Sequence, residues 1–376
     1  MPTSTVLFAG GGTGGHIYPN AAIADRLRDR LRDRLPEMGI HFLVSQRPGD
    51  ARTMAKLGEA FTANPVKPLP SPRQLWRAPG FLLAWRRGVG EAVEVLRAHH
   101  VAVVVATGGF VSGPAIVAAA KLGLPRAMVN LDAIPGRANR RIYPRCTKVF
   151  SAHATPMLPG AEIIGLPLRS SSRWTSDAQA ARLQLGLDPA RRVVFVTGAT
   201  HGAQSIILAM MKIVSDPAKA QAFSGWQVLH QCGTFNVATL QAAYDAAGVP
   251  AKAVAYIDGM GQAYGAADLV VSRAGAGSVA EAWANARATL FLPNPYHADG
   301  HQRHNAAAVA GAGGAMIVED HVDPAHNAAD FGRQLLGLMG DHQRRATMAA
   351  ASRESRPPEG ANVVSKWIAE IMDNDV

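Results

Sequence analysis

The chain has 376 residues, of which 48% are hydrophobic and 18% are charged. This length allows two domains with substantial cores, and this composition excludes a largely disordered chain. No apolar stretch approaches the roughly twenty residues that a membrane-spanning helix needs, and the first residues do not resemble a signal peptide. Cys146 and Cys232 have no metal-ligand spacing, which favours a reducing, cytoplasmic compartment.

The net charge of +10 is concentrated in the first half of the chain. Residues 1–165 contain 21 Lys and Arg against 10 Asp and Glu, whereas the remaining residues are close to neutral. This asymmetry favours an anionic partner near the first half, such as a phospholipid surface, a diphosphate or a nucleic acid. Charge that serves only solubility explains the asymmetry equally well.

Strands and helices alternate along the first half. The predicted strands cover residues 5–9, 39–44, 101–106, 126–130 and 148–151, and the predicted helices cover residues 19–35, 85–99, 113–122 and 136–143. This alternation predicts an α/β fold with a doubly wound parallel sheet. Within residues 24–35, Leu recurs every fourth residue among alternating charges, which predicts a solvated helix with i,i+4 ion pairs.

The alternation restarts after a proline-containing hinge at residues 155–167. The predicted strands of the second half cover residues 192–197, 227–231, 253–257, 269–272 and 289–292, with helices between them, the first at 205–214. A turn of small residues follows the first strand of each half. Ligands bind outside the carboxyl ends of such strands, so we expect a cleft between two facing domains. Neither turn has G-x-G-x-x-G spacing, which disfavours a dinucleotide-dependent dehydrogenase.

The first of these turns has five glycines in six positions, at residues 10–15, and His16 follows directly. Glycines at a strand-to-helix turn let backbone N–H groups approach a ligand closely. A turn that only held phosphate would not need an imidazole, whereas a turn beside a reacting hydroxyl could use one as a base. The alternative is a tight turn that His16 only caps.

Residues 70–87 combine aromatic, leucine and arginine side chains between prolines. Trp and Arg together suit a membrane interface, where rings lie at headgroup depth and guanidinium groups contact lipid phosphate. A helix whose aromatic side packs into the first domain is the alternative, and nucleic-acid stacking is disfavoured. The candidate membrane residues are Trp76, Phe81, Leu82, Trp85, Arg86 and Arg87.

A second cluster of small residues follows the predicted strand at 269–272. Here Ala276, Gly277 and Ser278 open a helix whose N–H groups are available to a diphosphate. Glu281 comes three residues after Ser278, which is the spacing of a capping box. The functional interpretation of Glu281 is a carboxylate that accepts hydrogen bonds from both hydroxyls of a ribose.

The loop at residues 293–306 is dense in His, Asp, Gln and Asn, side chains that bind sugar hydroxyls. It contains three histidines, His297, His301 and His304, but they are offset from familiar zinc spacings. We therefore expect no metal ion and no other cofactor.

Three segments together resemble the MurG family of glycosyltransferases: residues 11–19 around Gly14, Gly15 and His16; residues 107–114; and residues 272–281 with 299–306. The resemblance implies the GT-B fold and an inverting, metal-independent transfer of GlcNAc from UDP-GlcNAc to a polyprenyl-diphosphate-linked muramyl acceptor, a step of peptidoglycan synthesis. It also implies peripheral binding at the anionic, cytoplasmic face of the inner membrane.

The resemblance implies three domain segments. An acceptor-binding and membrane-associating domain covers residues 1–163, a UDP-sugar-binding domain covers 164–358, and a final helix at 359–376 returns to the first domain.

The same resemblance assigns roles to individual residues. It places His16 at the acceptor hydroxyl, Ile257 at the uracil, Glu281 at the ribose, and His301 with Gln302 at the donor sugar. Further substrate contacts are implied for Thr13, Gly14, Gly15, Arg169, Thr200, Ala276, Gly277 and Ser278. The patch at residues 70–87 falls where the family has its membrane-association surface.

One stretch departs from the family. Relatives commonly have His-Glu-Gln-Asn after the fourth strand of the first half, whereas this chain has Asn130-Leu131-Asp132-Ala133 and is one residue shorter. Asp132 is the candidate replacement for the lost carboxylate and a second candidate base. Because the change lies near the acceptor, three alternatives stay open: transfer to another lipid such as diacylglycerol, a UDP-sugar epimerase, and a non-catalytic sugar-nucleotide-binding protein.

Overall fold

The computed structural model describes residues 4–12, 14–70, 72–198, 203–296 and 299–374. The predicted contact residues Thr13 and Thr200 lie outside the described residues, as does His297. The chain forms two compact units: Met1–Arg169 with Pro357–Val376, and Ser170–Arg356.

The first unit is built on a parallel sheet with the strand order β3-β2-β1-β4-β5-β6-β7. Its strands are β1 (Thr5–Gly10), β2 (Gly39–Ser45), β3 (Phe61–Asn64), β4 (Val101–Gly108), β5 (Arg126–Asn130), β6 (Lys148–Ser151) and β7 (Glu162–Ile163). All six residues of β1 are buried, because helices cover both faces of a central parallel strand. The five strands predicted for this half are confirmed, and β3 and β7 were not predicted.

The helices of this part of the chain are α1 (Gly14–Leu31), α2 (Pro48–Leu57), α3 (Ala78–Ala98), α4 (Ser112–Lys121) and α5 (Arg137–Ile142). The predicted bounds of the first helix were wrong at both ends. The helix begins within the glycine turn, at Gly14, and ends at Leu31.

The second unit contains a parallel sheet with the strand order β10-β9-β8-β11-β12-β13. Its strands are β8 (Arg192–Thr197), β9 (Trp226–Gln231), β10 (Ala251–Val254), β11 (Leu269–Ser272), β12 (Thr289–Phe291) and β13 (Ala315–Ile317). The strand predicted at 253–257 is displaced toward the N-terminus, because β9 ends at Gln231, which pairs with Val254.

The remaining helices are α6 (Ala178–Gln184), α7 (Gln204–Val214), α8 (Pro217–Gln221), α9 (Val237–Ala246), α10 (Met260–Ala266), α11 (Ala276–Ala284), α12 (His301–Gly311), α13 (Pro324–Gly340), α14 (His342–Glu354) and α15 (Gly360–Asn374). Both units are therefore α/β domains with a doubly wound parallel sheet, as predicted. No helix among the described residues is long and apolar enough to cross a membrane.

The last helix, α15, belongs to the first unit and packs against α1. Ion pairs accompany this packing: Arg26 lies 3.2 Å from Glu359, and Arg34 lies 2.7 Å from Asp373. The charged face of α1 was expected to form i,i+4 pairs. It forms an i,i+3 pair, Arg28 with Asp25, together with these longer-range ones.

Candidate functional site

The glycine turn after β1 is packed against the turn that follows β4. A Cβ on Gly109, where φ is +77°, would lie 2.1 Å from the carbonyl oxygen of Gly11, so this contact needs glycine. A Cβ on Gly10 would likewise meet the Thr107 hydroxyl at 2.5 Å. The close approach of the two turns therefore accounts for several of these glycines.

Asp50 and Arg47 fix the conformation of the glycine turn. The Oδ2 atom of Asp50 accepts hydrogen bonds from the backbone N–H of Gly12 at 2.7 Å and from the N–H and hydroxyl of Ser45 at 3.1 and 2.5 Å. The guanidinium of Arg47 donates to the Gly12 carbonyl at 2.9 Å and lies over the Phe110 ring. These contacts join residues far apart in sequence, so no local pattern indicated them.

His16 lies in the first turn of α1, two residues after Gly14. Its Nδ1 atom lies 3.3 Å from the Thr107 carbonyl oxygen. A carbonyl only accepts hydrogen bonds, so we assign the ring hydrogen to Nδ1, which leaves the lone pair on Nε2. Burial lowers the pKa of His16, while Asp132, the Thr107 carbonyl and Asp50 oppose this effect. The ring is therefore neutral at pH 7 and able to take up a proton.

A pocket of about 240 Å³ opens beside the imidazole. This volume is slightly below the roughly 300–1,000 Å³ of typical small-molecule sites. The lining residues come from α1, from the end of β4 and the turn after it, from the segment after β5 and from the start of α5. They are His16, Thr107, Gly109, Phe110, Leu131, Asp132, Gly136, Arg137, Ala138 and Asn139. The structure thus brings together the two candidate bases, His16 and Asp132. It also adds Arg137 and Asn139, which no local sequence pattern indicated.

Asn130, the first residue of the stretch that departs from the family, is fully buried. Its Nδ2 donates to the Asp132 carbonyl at 2.7 Å and to the Ser151 hydroxyl at 3.0 Å. Asn130 therefore holds the segment after β5 against the end of β6. This segment carries Asp132 into the pocket.

The candidate membrane residues divide into an exposed group and a packed group. Trp76, Leu82 and Leu83 are 72%, 58% and 61% exposed, and Arg86 and Arg87 follow on the exposed side of α3. These five residues form what we term the α3 surface.

Phe81 and Trp85 are only half-buried and lie beside each other on α3, with ring centroids 6.1 Å apart. Trp85 also packs on Gly113 of α4, where an added Cβ would meet its ring at 2.6 Å. These two rings are therefore part of the packing of the first unit.

Arg169 ends the first unit. Its guanidinium lies 5.9 Å from the centroid of the Tyr18 ring. Burial raises the pKa of Asp25, and Arg169 opposes that rise, so its charge is close to Asp25. Gly14 and Gly15 occupy the first turn of α1, where Gly15 is exposed.

In the second unit, the segment after β11 leads directly into α11. Gly275 is the N-cap, so Ala276, Gly277 and Ser278 are the first three helical residues. Their N–H groups lie at the positive end of the helix dipole, where an anion is favoured. The capping-box alternative for Glu281 is wrong, because the helix begins two residues before Ser278 and Glu281 lies in its second turn.

The side chain of Glu281 is held by residues from two other segments. Its Oε1 accepts a hydrogen bond from the Ser172 hydroxyl at 3.0 Å. Asn285 donates to the carbonyls of both Ser172 and Glu281 at 2.8 Å. Burial raises the pKa of Glu281 to about 7, although hydrogen bonds from Ser172 and Tyr264 lower it. Ser172, Tyr264 and Asn285 lacked any local sequence signal.

A buried ion pair anchors the start of this segment. Arg273 lies 2.6 Å from Asp320 and donates to the Ser205 hydroxyl at 2.7 Å. Ser205 in turn donates to Asp320 at 2.6 Å, and Asn327 donates to the second oxygen of Asp320 at 2.8 Å. The network joins the end of β11 to the start of α7 and to the segment after β13.

The remaining predicted contacts of this unit lie at strand and helix ends. Ile257 follows β10 and is 7% exposed, which leaves its backbone as the group able to contact a base. The Oε1 atom of Gln302 accepts from the Asn294 N–H at 2.9 Å, and His301 Nδ1 lies 2.7 Å from Asp299. Among the residues that the structure describes, no group of three or more His, Cys, Asp or Glu could hold a metal ion.

Comparison with known proteins is consistent with this architecture. The glycosyltransferase family 28 N-terminal domain matches residues 6–151, and the C-terminal domain of the same family matches residues 193–364. The structure of MurG from Acinetobacter baumannii superposes with a TM-score of 0.74 at 21% identity, covering 98% of this chain and 100% of that one. The glycosyltransferase SnogD from Streptomyces nogalater superposes with a TM-score of 0.62 at 19% identity, covering 98% and 100%.

Fold and family domains together define a glycosyltransferase of the GT-B fold. Two curated relatives are named UDP-N-acetylglucosamine–N-acetylmuramyl-(pentapeptide) pyrophosphoryl-undecaprenol N-acetylglucosamine transferase. The one from Nocardioides sp. (strain JS614) is 36% identical, covering 97% of this chain and 98% of the relative. The one from Mycolicibacterium smegmatis is 35% identical, covering 98% and 94%. The chain belongs to this MurG family, as its sequence motifs predicted.

Proposed function

We propose that this protein transfers GlcNAc from UDP-GlcNAc to the 4-hydroxyl of the muramyl sugar in undecaprenyl-diphospho-MurNAc-pentapeptide. The names of the full-length relatives supply the two substrates. The observation in this chain that carries the proposal is the pocket beside His16, in which Nδ1 contacts Thr107 and Nε2 is left to act as a base. A transferase needs such a base to deprotonate the attacking hydroxyl.

In the proposed reaction, the acceptor oxygen forms a bond to the anomeric carbon of the donor, and the bond from that carbon to UDP breaks on the opposite face. The proton of the acceptor hydroxyl moves to Nε2 of His16, and UDP leaves with the bonding electron pair. Asp132 lies in the same pocket and stabilises the imidazolium, since its charge raises the pKa of His16. A base of this kind contributes about 10²–10⁴ in rate.

The donor is assigned to the second unit. The N–H groups of residues 276–278 bind the diphosphate and stabilise the charge that develops as UDP leaves. Glu281 binds the ribose hydroxyls, the backbone at Ile257 binds uracil, and His301 with Gln302 contacts the sugar. We also propose the further substrate contacts that the family resemblance implies, at Arg169, Thr13, Gly14, Gly15 and Thr200.

The α3 surface is proposed to contact the anionic membrane that holds the lipid-linked acceptor. Exposed Trp and Leu side chains enter the headgroup region, and Arg86 and Arg87 contact lipid phosphates. A helix that faces only water does not need two adjacent exposed leucines, Leu82 and Leu83, and the exposed Trp76 precedes the same helix.

The direct test supplies radiolabelled UDP-GlcNAc with either the muramyl lipid or diacylglycerol. We expect label only in the muramyl lipid. Label in diacylglycerol alone would overturn the muramyl acceptor and show that the protein transfers GlcNAc to diacylglycerol instead. Label in neither lipid would overturn the proposed function.

A further inference from the structure

An amide oxygen without a partner lies next to the proposed base. Asn139 of α5 is 6% exposed, and its Oδ1 atom has no hydrogen-bond partner among the described residues. An unsatisfied buried acceptor is costly, and such groups are rare without a functional reason. Asn139 therefore calls for an explanation beyond packing.

The orientation of the Asn139 amide is fixed by a chain of hydrogen bonds. The Nδ2 of Asn130 already donates to the Asp132 carbonyl and to Ser151, so its Oδ1 is the atom that faces Asn139. That oxygen accepts from Asn139 Nδ2 at 3.1 Å. Rotating the Asn139 amide by 180° would place two acceptors against each other. Its Oδ1 is thereby directed away from Asn130.

The Oδ1 atom and the His16 ring border the same small space above Gly108. A Cβ on Gly108 would lie 3.0 Å from Nδ1 and Cε1 of His16 and 3.2 Å from Oδ1 of Asn139. Gly108 has a φ of +119°, a conformation that glycine adopts readily. Both groups lie within 3.2 Å of one point, so the amide oxygen and the Nδ1–Cε1 edge of the ring are at most about 6 Å apart.

We propose that Asn139 is a positioning residue for His16, whose amide oxygen is unpaired while the ring is neutral and stabilises the Nδ1–Cε1 edge of the imidazole after the ring has taken up the acceptor's proton. An imidazolium has more positive charge on this edge than the neutral ring. The amide dipole therefore stabilises the state after proton transfer more than the state before it.

The inference rests on the proposed function, because it assumes that His16 is the base. The charged groups that face His16 are Asp132 after β5, Asp50 of α2 and Arg137, which lines the pocket. His153, after β6, is also near, since Asp132 raises its pKa against the effect of burial. All four remain in variants at position 139, so a change in the pH profile of those variants reports on position 139 itself.

The test compares the pH dependence of transfer to the muramyl lipid in wild type, Asn139→Ala and Asn139→Asp. Asn139→Ala removes an acceptor from the charged ring. We expect its kcat to fall about tenfold and the acid limb of its profile to move to lower pH, with both KM values nearly unchanged. Asn139→Asp adds a negative charge, so its acid limb moves to higher pH and its kcat recovers on the alkaline side.

Ser151→Ala is the matched control, because it breaks the same hydrogen-bond chain at its far end. It is expected to lower the melting temperature and leave the acid limb in place. The inference is overturned if both Asn139 variants only lower the melting temperature. It is also overturned if the acid limbs of their pH profiles move in the same direction. If wild type transfers no label, or if His16→Ala keeps full activity, it is the proposed function that fails.

Discussion

The Nδ1 atom of His16 lies 3.3 Å from the carbonyl oxygen of Thr107. This contact joins the first turn of α1, the helix that follows β1, to the end of β4. The strands β1 and β4 are neighbours in the first sheet. It fixes which nitrogen of the imidazole is free, and it explains why a glycine turn is followed by a histidine. The turn itself is shaped by Asp50 and by the close approach of Gly11 to Gly109.

The raised pKa of Glu281 predicts a pH-dependent affinity for the donor. With a pKa of about 7, the carboxyl is protonated at pH 6 and ionised at pH 8.5. An ionised carboxylate accepts both ribose hydroxyls, so UDP-GlcNAc is expected to bind up to about tenfold more tightly at the higher pH. Isothermal titration calorimetry measures this, and Glu281→Gln should abolish the pH dependence.

Two controls isolate the ribose contact. Glu354→Gln changes an exposed carboxylate of α14 and should leave the profile as in wild type. A donor with a 2′,3′-dideoxyribose should bind with equal affinity at both pH values. A wild-type affinity that does not change between pH 6 and 8.5 would contradict the assignment.

The buried pair of Arg273 and Asp320 predicts a large loss of stability in Asp320→Ala. The variant leaves the Arg273 guanidinium buried without its carboxylate, which costs about 3–5 kcal/mol. Calorimetry of the full chain should show a lower unfolding temperature. Arg333→Ala is the control; it removes the exposed pair with Asp330 and should cost at most about 0.5 kcal/mol. Equal melting curves for the two variants would contradict this account.

The same pair predicts sensitivity to acid. Burial alone would raise the pKa of Asp320, but hydrogen bonds from Ser205 and Asn327 and the charge of Arg273 lower it below its ordinary value. The stabilisation is therefore complete above the ordinary pKa of an aspartate and is lost as the pH falls through the lowered value. Asp320→Ala should lack this part of the acid dependence when unfolding is followed from pH 6 to 3.

The α3 surface predicts binding to anionic vesicles. The double variant Leu82→Ser and Leu83→Ser removes two exposed apolar side chains, and its affinity for vesicles that contain phosphatidylglycerol is expected to fall at least tenfold. Sedimentation with vesicles measures this. Leu183→Ser alters a leucine that is 62% exposed in the second unit and should change nothing. Equal sedimentation of both variants would show that the α3 surface does not contact the membrane.

The repeated strand and helix pattern was predictable because central parallel strands are continuous apolar runs, as in residues 5–9 and 192–197. The short strand β13 and the edge strands β3 and β7 were not predicted, because edge and very short strands lack that signature. Helix starts were the weakest point. Gly14 carries no capping side chain, so α1 begins earlier than its pattern indicated, whereas α11 begins at Ala276, where the small-residue segment predicted its start.

The candidate site was predictable only where a motif is local. His16 and Glu281 stand within distinctive small-residue segments, and the structure gives each of them specific partners. Asp50, Asn139 and Ser172 act through contacts to residues at least 9 positions away, and in two cases 38 and 109 positions away. Such contacts depend on the tertiary fold, and a single sequence does not display them.

The most direct test of the account is the transfer activity of His16→Ala together with its affinity for UDP-GlcNAc. Because the imidazole serves the acceptor and the donor is assigned to the second unit, we predict that the donor affinity stays within about twofold of wild type. We predict that kcat for transfer of labelled GlcNAc to the muramyl lipid falls by about 10²–10⁴. Turnover near the wild-type value would show that His16 is not the base.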